Sequence, residues 1–346
     1  MEKGFITVNK LPVPTWEKLK VNRKKVNLPG ISAKAVGLMV RGAAPEEARD
    51  ENILKVFSSI KTGMGEDVSS FFDGLFKAKN IKPDLLKASG NTLLKFEGSD
   101  GPAAERLLID TAENEKKTVI MSLSCAGVFQ TIVNLKKGSC LELVQIINAS
   151  DREALLTDIG AACEEGAEFK LIQVFMSGKE VYSGCRTLLS GKDSRYEAYL
   201  GYDLAGEDLL DMNYHAVHTG KRTESAITAS GALAGTSQKV FRGTIDFIRG
   251  SAGAVGNENE DVLILDDGVV NKTVPLILCE EEDVEGNHGA SIGRPDEETL
   301  FYLTSRGISR EEAIAVLRRS KLCSAAMKIS DEEFRKELLE SIYDRT

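Results

Sequence analysis

Residues 118–135, TVIMSLSCAGVFQTIVNL, carry no charge over 18 positions and pose the first choice of fold, between a membrane span and buried β-strands. Eighteen such residues reach the lower limit for a spanning helix. Polar side chains interrupt the run, however, at Ser122, Ser124, Gln130, Thr131 and Asn134. The β-branched residues alternate in part with these polar ones, which is typical of strands with one buried face. We therefore interpret the run as strands and expect no membrane partner.

Similar short β-type runs recur on both sides of this stretch, from about residue 91 to residue 293, with turns rich in Gly, Asn, Asp and Ser between them. They include 118–123, 131–135, 142–147, 169–175, 239–248, 262–265 and 274–278. No helix of crossover length recurs between the later runs, so an alternating βαβ sheet fits poorly. A barrel, a sandwich or a β-solenoid remains, and a solenoid would be an irregular one because no strict repeat motif is visible.

The region before the β runs has helical patterns. Apolar residues fall at i, i+3, i+4 and i+7 on one helix face, at Ile53, Val56, Phe57 and Ile60. A second pattern uses Phe71, Phe72, Leu75 and Phe76. We expect residues 1–90 to form a helical amino-terminal region ahead of a β core at 91–293.

The last segment, residues 294–346, is predicted to be helical again. Ser309-x-x-Glu312 and Ser330-x-x-Glu333 both have the capping-box form that begins a helix. Gly307 is well placed for a left-handed helix C-terminus. The final helix would bury one apolar stripe, formed by Phe334, Leu338, Leu339 and Ile342.

Charge and cysteine content narrow the class of protein. The 346 residues include 44 Lys and Arg against 53 Asp and Glu, a net charge of −9. This acidic balance argues against contact with nucleic acid, which needs clustered Lys and Arg. The six cysteines are widely spaced and never fall as C-x-x-C, which suits a reduced cytoplasm better than a disulfide framework. With no continuous apolar stretch after Met1, we expect a cytoplasmic protein.

The motifs with possible chemistry each have a structural interpretation as well. His215 and His218 would share a helix face but lie on opposite faces of a strand, and their context does not look helical. Three glycines spaced by two residues, at 250, 253 and 256, lack the Lys-Ser/Thr of a phosphate loop and indicate a turn. The acidic runs 258–261 and 280–283 are expected to be solvated turns rather than a pair of catalytic acids. His288, among carboxylates, suits a metal ligand or a proton carrier as well as a structural role.

Five blocks in the carboxyl-terminal half carry a resemblance. They are VFRGTI at 240–245, VLIL at 262–265, TVP at 273–275, EDVEGNHGASIG at 282–293 and LFYLTSRGI at 300–308. Together they resemble the SufB/SufD family of iron–sulfur cluster assembly proteins, and its SufD branch more closely. The sequence LPVPTW at 11–16 is similar to the start of the family.

The resemblance implies a fold and a set of partners. The fold is a right-handed parallel β-helix, a β-solenoid, flanked by amino- and carboxyl-terminal helical segments. The β-helices of two family members pair, and a transient iron–sulfur cluster forms at the subunit interface. The carboxyl-terminal helices dock a SufC ATPase, so ATP hydrolysis belongs to that partner and the chain itself is a non-catalytic scaffold. Whether the pairing partner is a SufB-like subunit or an identical chain stays open.

The resemblance also assigns residues. His288 matches the histidine that the SufD branch offers as a cluster or iron ligand. Gly286, Glu260 and Gly289 stand where relatives carry a cysteine, a cysteine and a glutamate. Cys279 is a weaker ligand candidate because a cysteine on an apolar strand is often a small buried hydrophobe. The SufC-docking residues would be Phe301, Tyr302, Arg306 and Gly307. The alternative function is a β-helix lyase or hydrolase acting on acidic polysaccharide, which predicts a groove lined by Lys, Arg and paired acids.

Overall fold

Stacked β-strands make up most of the chain. The computed structural model describes residues 5–28, 30–31, 33–35, 37–87, 90–96, 102–149 and 154–344. The strands are β1 (Phe5–Val8), β2 (Lys24–Asn27), β3 (Ala33–Lys34), β4 (Gly37–Arg41), β5 (Glu46–Glu47), β6 (Asp84–Leu86), β7 (Thr92–Phe96), β8 (Ala103–Asp110), β9 (Lys116–Leu123), β10 (Gly127–Leu135), β11 (Cys140–Asn148), β12 (Leu155–Cys163), β13 (Glu168–Ser177), β14 (Glu180–Leu189), β15 (Arg195–Leu204), β16 (Leu209–His218), β17 (Glu224–Leu233), β18 (Gln238–Phe247), β19 (Ala254–Ile264), β20 (Val270–Cys279) and β21 (Val284–Gly293). The α-helices are α1 (Glu51–Ser58), α2 (Glu66–Lys79), α3 (Glu297–Ser305), α4 (Arg310–Ala326) and α5 (Glu332–Tyr343).

Successive strands from β6 onward alternate between two sheets. The even sheet runs from β6 to β20 and the odd sheet from β7 to β21, and neighbouring strands within each sheet are parallel. From β8 to β21, each pair of successive strands is therefore one turn of a parallel β-solenoid, with about seven turns in all, and the shorter β6 and β7 extend the two sheets at the amino-terminal end. This confirms the predicted β-solenoid with flanking helices. The uncharged run 118–135 is divided between β9 and β10, which lie in different sheets.

The solenoid repeat is visible in the backbone rather than in the residue types. Six of the loops that connect an even strand to the following odd strand stack above one another. Each has a residue at positive φ, between 54° and 76°, and these residues are Asn114, Gly138, Gly166, Asp193, Arg222 and Gly253. The N–H of each donates to a carbonyl of the next turn, as Asn114 does to Lys137 at 2.9 Å. Since Gly, Asn and Asp all tolerate this conformation, one structural position is filled by several residue types. No strict motif is therefore visible in the sequence.

The main core lies between the two sheets. Residues at matching positions of neighbouring strands stack above one another, as Leu171, Ala198 and Ile227 do, and all three are fully buried. Burying such aliphatic columns contributes about 25 cal/mol per Å² of apolar surface. Aromatic residues stack in the same way, as Phe169 and Tyr196 do with ring centres 5.6 Å apart.

Helices cover both outer faces of the solenoid. On the even sheet, α2 packs through Phe72, Leu75 and Phe76, as its apolar pattern predicts. On the odd sheet, α4 and α5 pack over Ile120, Val144, Ile172 and Val174. No helix among the described residues is both long and apolar enough to cross a membrane.

The amino-terminal region contains two of the predicted helices, α1 and α2, but short strands as well. Strands β1 to β6 lie within residues 5–86. In α1 the predicted stripe is buried only in part, because Phe57 is buried and Val56 is 44% exposed. Propensity and periodicity do not reveal short strands that depend on pairing with distant partners.

The start signals of the carboxyl-terminal helices have different outcomes. Ser309 and Glu312 form the predicted capping box at the start of α4, and Gly307 has φ 89° after α3. The capping box predicted at Ser330 is wrong. Asp331 caps α5 instead, with its carboxylate accepting the Phe334 N–H at 3.0 Å. Ser330 instead binds a residue that is distant in sequence: its N–H and hydroxyl donate to the Glu142 carboxylate at 2.9 and 2.6 Å.

Candidate functional site

The carboxyl-terminal end of the solenoid is open. Strands β20 and β21 are the last in their sheets, and no described strand pairs with their outer edges. Large apolar side chains are exposed there, with Val270 at 37%, Ile277 at 36% and Ile292 at 46%. An unpaired strand edge beside apolar surface is a template for pairing with another chain.

His288 lies on the last strand, at this open end, on the side of the strand that faces the even sheet. It is the fifth residue of β21 and is exposed. Two residues earlier, a Cβ on Gly286 would contact Ile277 and Phe247 of the even sheet, so this side of β21 faces inward. His288 lies on the same side because side chains alternate along a strand. Its neighbour in the β19 register is Glu258.

Glu258 and Glu260 lie inside the solenoid, so the expectation that run 258–261 forms a solvated turn is wrong. Both belong to β19 and are 3% exposed. Burial, with a smaller contribution from Glu260, raises the pKa of Glu258 to about 8. The period-two spacing of Gly256, Glu258, Glu260 and Val262 was the signal that could have placed these carboxylates on the inner face.

Glu260 belongs to a closed buried network. Its carboxylate accepts hydrogen bonds from Lys239 Nζ, from the Tyr202 hydroxyl at 3.2 Å and from the Thr273 hydroxyl. The Lys239 and Glu260 side chains are both fully buried, and burial lowers the pKa of Lys239. Charge-assisted hydrogen bonds of this kind are strong, so the Glu260 carboxylate is already occupied by groups of its own chain. Glu260 is therefore part of an internal ion pair.

Cys279 and His288 are not brought together. Cys279 ends β20, is exposed, and its thiol donates to the Glu281 carbonyl at 2.9 Å. His288 lies four residues, roughly 13 Å, along β21 from the end nearest Cys279. Among the described residues there is no group of three or more His, Cys, Asp or Glu side chains arranged to hold a metal ion.

The other histidines have structural partners. They lie on β16, and His218 is fully buried, with ring nitrogens 2.7 Å from the Thr223 hydroxyl and 2.8 Å from the Ser225 hydroxyl. His215 is on the opposite face, 3.3 Å from Asp246. This confirms the strand interpretation of their spacing. Of the three glycines predicted to form a turn, those at 250 and 253 lie in the turn between β18 and β19, whereas Gly256 lies within β19.

A groove of about 700 Å³ crosses the outer face of the odd sheet. It has basic and acidic side chains, as the polysaccharide alternative predicts. Its carboxylates are engaged, however: Glu142 with Lys170 at 2.9 Å, Glu224 with Arg195 at 3.4 Å, and Glu168 with the Cys140 thiol at 3.4 Å. These carboxylates therefore bind neighbouring side chains of the sheet and do not form the pair of acids that glycoside cleavage needs.

A second exposed surface lies on α3. Phe301 is 73% exposed and Tyr302 57%, and the Arg306 guanidinium lies 5.3 Å from the centre of the Tyr302 ring. Gly307 ends this helix in the left-handed conformation. Leu300 on the other side is buried, and Arg310 at the start of α4 pairs with Glu297 of α3 at 2.8 Å. The predicted docking residues are therefore presented on a supported helix.

These features define a class of protein: a parallel β-solenoid with an unpaired end and a supported aromatic surface beside it. Residues 95–320, well over half of the chain, match the SufBD core domain of the SUF system for iron–sulfur cluster assembly. The chain belongs to the SufB/SufD family.

Individual relatives agree with this family. The chain is 30% identical to the iron–sulfur cluster assembly protein SufD of Bacillus subtilis over 137 residues, which are 40% of this chain and 31% of that protein. It is 29% identical to SufB of the same organism over 193 residues, 56% of this chain and 41% of that protein. A chloroplastic SufBD family protein of Arabidopsis thaliana is 29% identical over 42% of this chain and 26% of its own length. The chain thus matches less than half of each relative, and the two bacterial identities are nearly equal.

Proposed function

We propose that this chain is a scaffold subunit of a Suf-type iron–sulfur cluster assembly complex, with a SufD-like role. It pairs through the open end of its β-solenoid with a SufB-like or identical subunit, and a SufC-type ATPase docks on its carboxyl-terminal helices. The observation that carries the proposal is the open end itself, with His288 exposed on the last strand.

The open end supports pairing with a second solenoid. Strands β20 and β21 are ten residues each, and no strand in the described part of the chain pairs with their outer edges, in either sheet. A subunit with a similar end would continue both sheets and cover Ile277 and Ile292. Pairing would satisfy polar groups and bury apolar surface in the same step.

The cluster is the cargo of such a complex, and His288 is the candidate ligand of this chain. An imidazole nitrogen is a suitable ligand for iron. Since the described residues offer no complete set of ligands, a cluster at this end would need thiolates or other groups from the second subunit. Glu260 cannot take that role without breaking its pairing with Lys239. Cys279 is placed too far along the strand to join His288 directly.

The test of the function is anaerobic reconstitution with a SufC-type ATPase, iron and sulfide, with and without a SufB-like subunit. We expect a complex that forms an iron–sulfur cluster, measured by visible absorption and iron content. His288→Ala should lower the cluster yield and leave the complex intact, whereas Asn287→Ala, one residue away on the outer side, should not. Full cluster yield in the His288→Ala variant would contradict the ligand role, and an absence of any complex would contradict the scaffold role.

Docking of the ATPase is tested separately on α3. Phe301→Asp combined with Tyr302→Asp should abolish binding in a pull-down, because exposed aromatic residues are common anchors of interfaces. Val56→Asp is the matched control, since Val56 is an exposed apolar residue (44%) but lies on α1, outside the carboxyl-terminal helices. Unchanged ATPase binding by the α3 variant would place the docking surface elsewhere.

A further inference from the structure

The loop that joins the antiparallel strands β1 and β2 crosses the outer face of the even sheet toward its last strand, with the short 3-10 helix Glu17–Leu19 near its tip. We call residues 9–22 the strap. Asn9 donates to the Asp211 carboxylate on β16 at 2.7 Å, Arg242 on β18 donates to the Val21 carbonyl, and Lys272 on β20 donates to the Leu19 carbonyl at 3.0 Å. The strap therefore reaches the strand whose outer edge is unpaired.

The attachment of the strap is buried and its tip is exposed. Asn9, Arg242 and Asp211 are at most 1% exposed. At the tip, Trp16 is 80% exposed and Leu19 is 52% exposed. Trp16 is thus an exposed aromatic residue on a segment that is hydrogen-bonded to the buried Arg242–Asp211 pair, and Trp is enriched among residues that dominate binding energy.

The tip is also basic in an acidic protein. Residues 10–25 include six Lys or Arg and one Glu, while the whole chain carries −9. Lys18 and Lys20 flank Leu19 and are exposed. The turn that follows β20 is acidic at all four positions from Glu280 to Asp283. One chain therefore carries two surfaces of opposite charge at the same edge of the even sheet.

Two-fold pairing would bring these surfaces together. When a strand edge pairs with the same edge of a second copy, the two strands run antiparallel and each contact occurs twice. With the ten residues of β20 fully overlapped, Lys272 lies opposite Ile277 of the second copy. The acidic turn begins three residues further on, roughly 10 Å away, which exposed lysine side chains can span.

We propose that the strap tip of each subunit contacts the acidic turn of a second copy of this chain, with Trp16 and Leu19 as the apolar part of the contact and Lys18 and Lys20 facing Glu280 and Glu282. This inference rests on the proposed pairing through the open end. It adds a surface outside the sheet edges that selects the partner by charge.

The test is a charge swap measured by sedimentation equilibrium of the full chain. Lys18→Glu with Lys20→Glu should weaken the dimer at least about tenfold, and Glu280→Lys with Glu282→Lys should do the same, both effects shrinking at high salt. The four changes combined in one chain should restore the dimer, because each contact then has both charges exchanged. Trp16→Ala should also weaken it about tenfold. Lys24→Glu with Lys25→Glu, on β2, is the control: it changes the net charge by the same amount as the Lys18 and Lys20 variant and should not affect dimer formation.

Ile292→Asp distinguishes end pairing from the strap contact, because Ile292 lies at the open end in the odd sheet and away from the strap. If Ile292→Asp gives monomers while the strap and turn variants stay dimeric, the strap contact is overturned and end pairing stands. A wild-type chain that stays monomeric overturns the second-copy assignment, and the reconstitution with a SufB-like subunit still tests the scaffold function. Failure of the combined variant to regain the dimer also counts against the contact.

Discussion

Gly243 makes room for a buried carboxylate near the open end. A Cβ at this position would lie 2.3 Å from the carboxyl carbon of Glu258. We expect Gly243→Ala to lower the free energy of unfolding by about 1–3 kcal/mol, the usual cost of overpacking. Glu258→Ala in the same chain should remove most of that cost. Denaturant unfolding measures both. Gly293→Ala, at a glycine with no neighbour within 4 Å, is the control, and additive effects of Gly243→Ala and Glu258→Ala would argue against the contact.

Glu105 gives the protein a pH dependence that can be measured. It is 2% exposed, and burial, with a smaller contribution from Asp84, raises the pKa of its carboxyl to about 9. The folded state therefore binds more protons than the unfolded state between about pH 4.5 and pH 9, so this group lowers stability as the pH rises through that window. Glu105→Gln should stabilise the protein by at least about 1 kcal/mol more at pH 8 than at pH 4.

Thermal unfolding over this pH range measures the effect of Glu105→Gln. Glu207→Gln, in an exposed turn, should leave the pH profile of the wild type unchanged. Parallel profiles for Glu105→Gln and the wild type would show that the Glu105 carboxyl is not protonated in the folded state at neutral pH.

At the scale of elements, Ser330 connects the carboxyl-terminal helices to the solenoid. Its N–H and hydroxyl donate to Glu142 on β11, which also pairs with Lys170 at 2.9 Å. Ser330→Ala removes the hydroxyl bond to a largely buried carboxylate and should cost about 1–3 kcal/mol. Hydrogen exchange should increase first in α5. Ser320→Ala, an exposed serine that bonds only the Leu317 carbonyl of its own helix, is the control. Equal effects of the two variants would contradict a connecting role.

The same element shows what the sequence could and could not predict. The box at Ser309 is local, since donor and acceptor are three residues apart, and it was correctly predicted. Ser330 has the same local pattern, but its partner is 188 residues away and Asp331 is an equally good cap. The solenoid strands were recognisable from apolar runs and turns. The period-two spacing indicates the inner face for Glu258 and Glu260, but Lys239, which pairs with Glu260, and Arg242, which holds the strap, are distant in sequence and no local pattern reveals them.

At the scale of the whole molecule, the strap ties the start of the chain to the last turns of the solenoid. Solenoid turns contact mainly their neighbours, so such a link adds long-range cohesion. Arg242→Met leaves Asp211 buried without its cation and should cost about 3–5 kcal/mol. Trypsin should then cleave first at Lys18 and Lys20 while the solenoid stays intact. Arg242→Met combined with Asp211→Leu should recover part of the stability, and equal cleavage of wild type and Arg242→Met would show that the strap is held by other contacts.

The two ends of the solenoid should also differ in stability. At the amino-terminal end, β6 and β7 are capped by the antiparallel strands β5 and β4, and α1 packs nearby against Leu108 and Ile132. The carboxyl-terminal end has no such cap among the described strands.

Unpaired edges open with low free energy, so in the isolated chain the amides of β20 and β21 should exchange faster than those of β14 and β16. When a second solenoid pairs with this end, exchange in β20 and β21 should slow to the rate of the central strands, while exchange in β7 should not change. Hydrogen exchange measured by mass spectrometry, with and without the pairing partner, tests this. Protection spread evenly over all turns, or gained at β7 on pairing, would mean that the partner binds elsewhere.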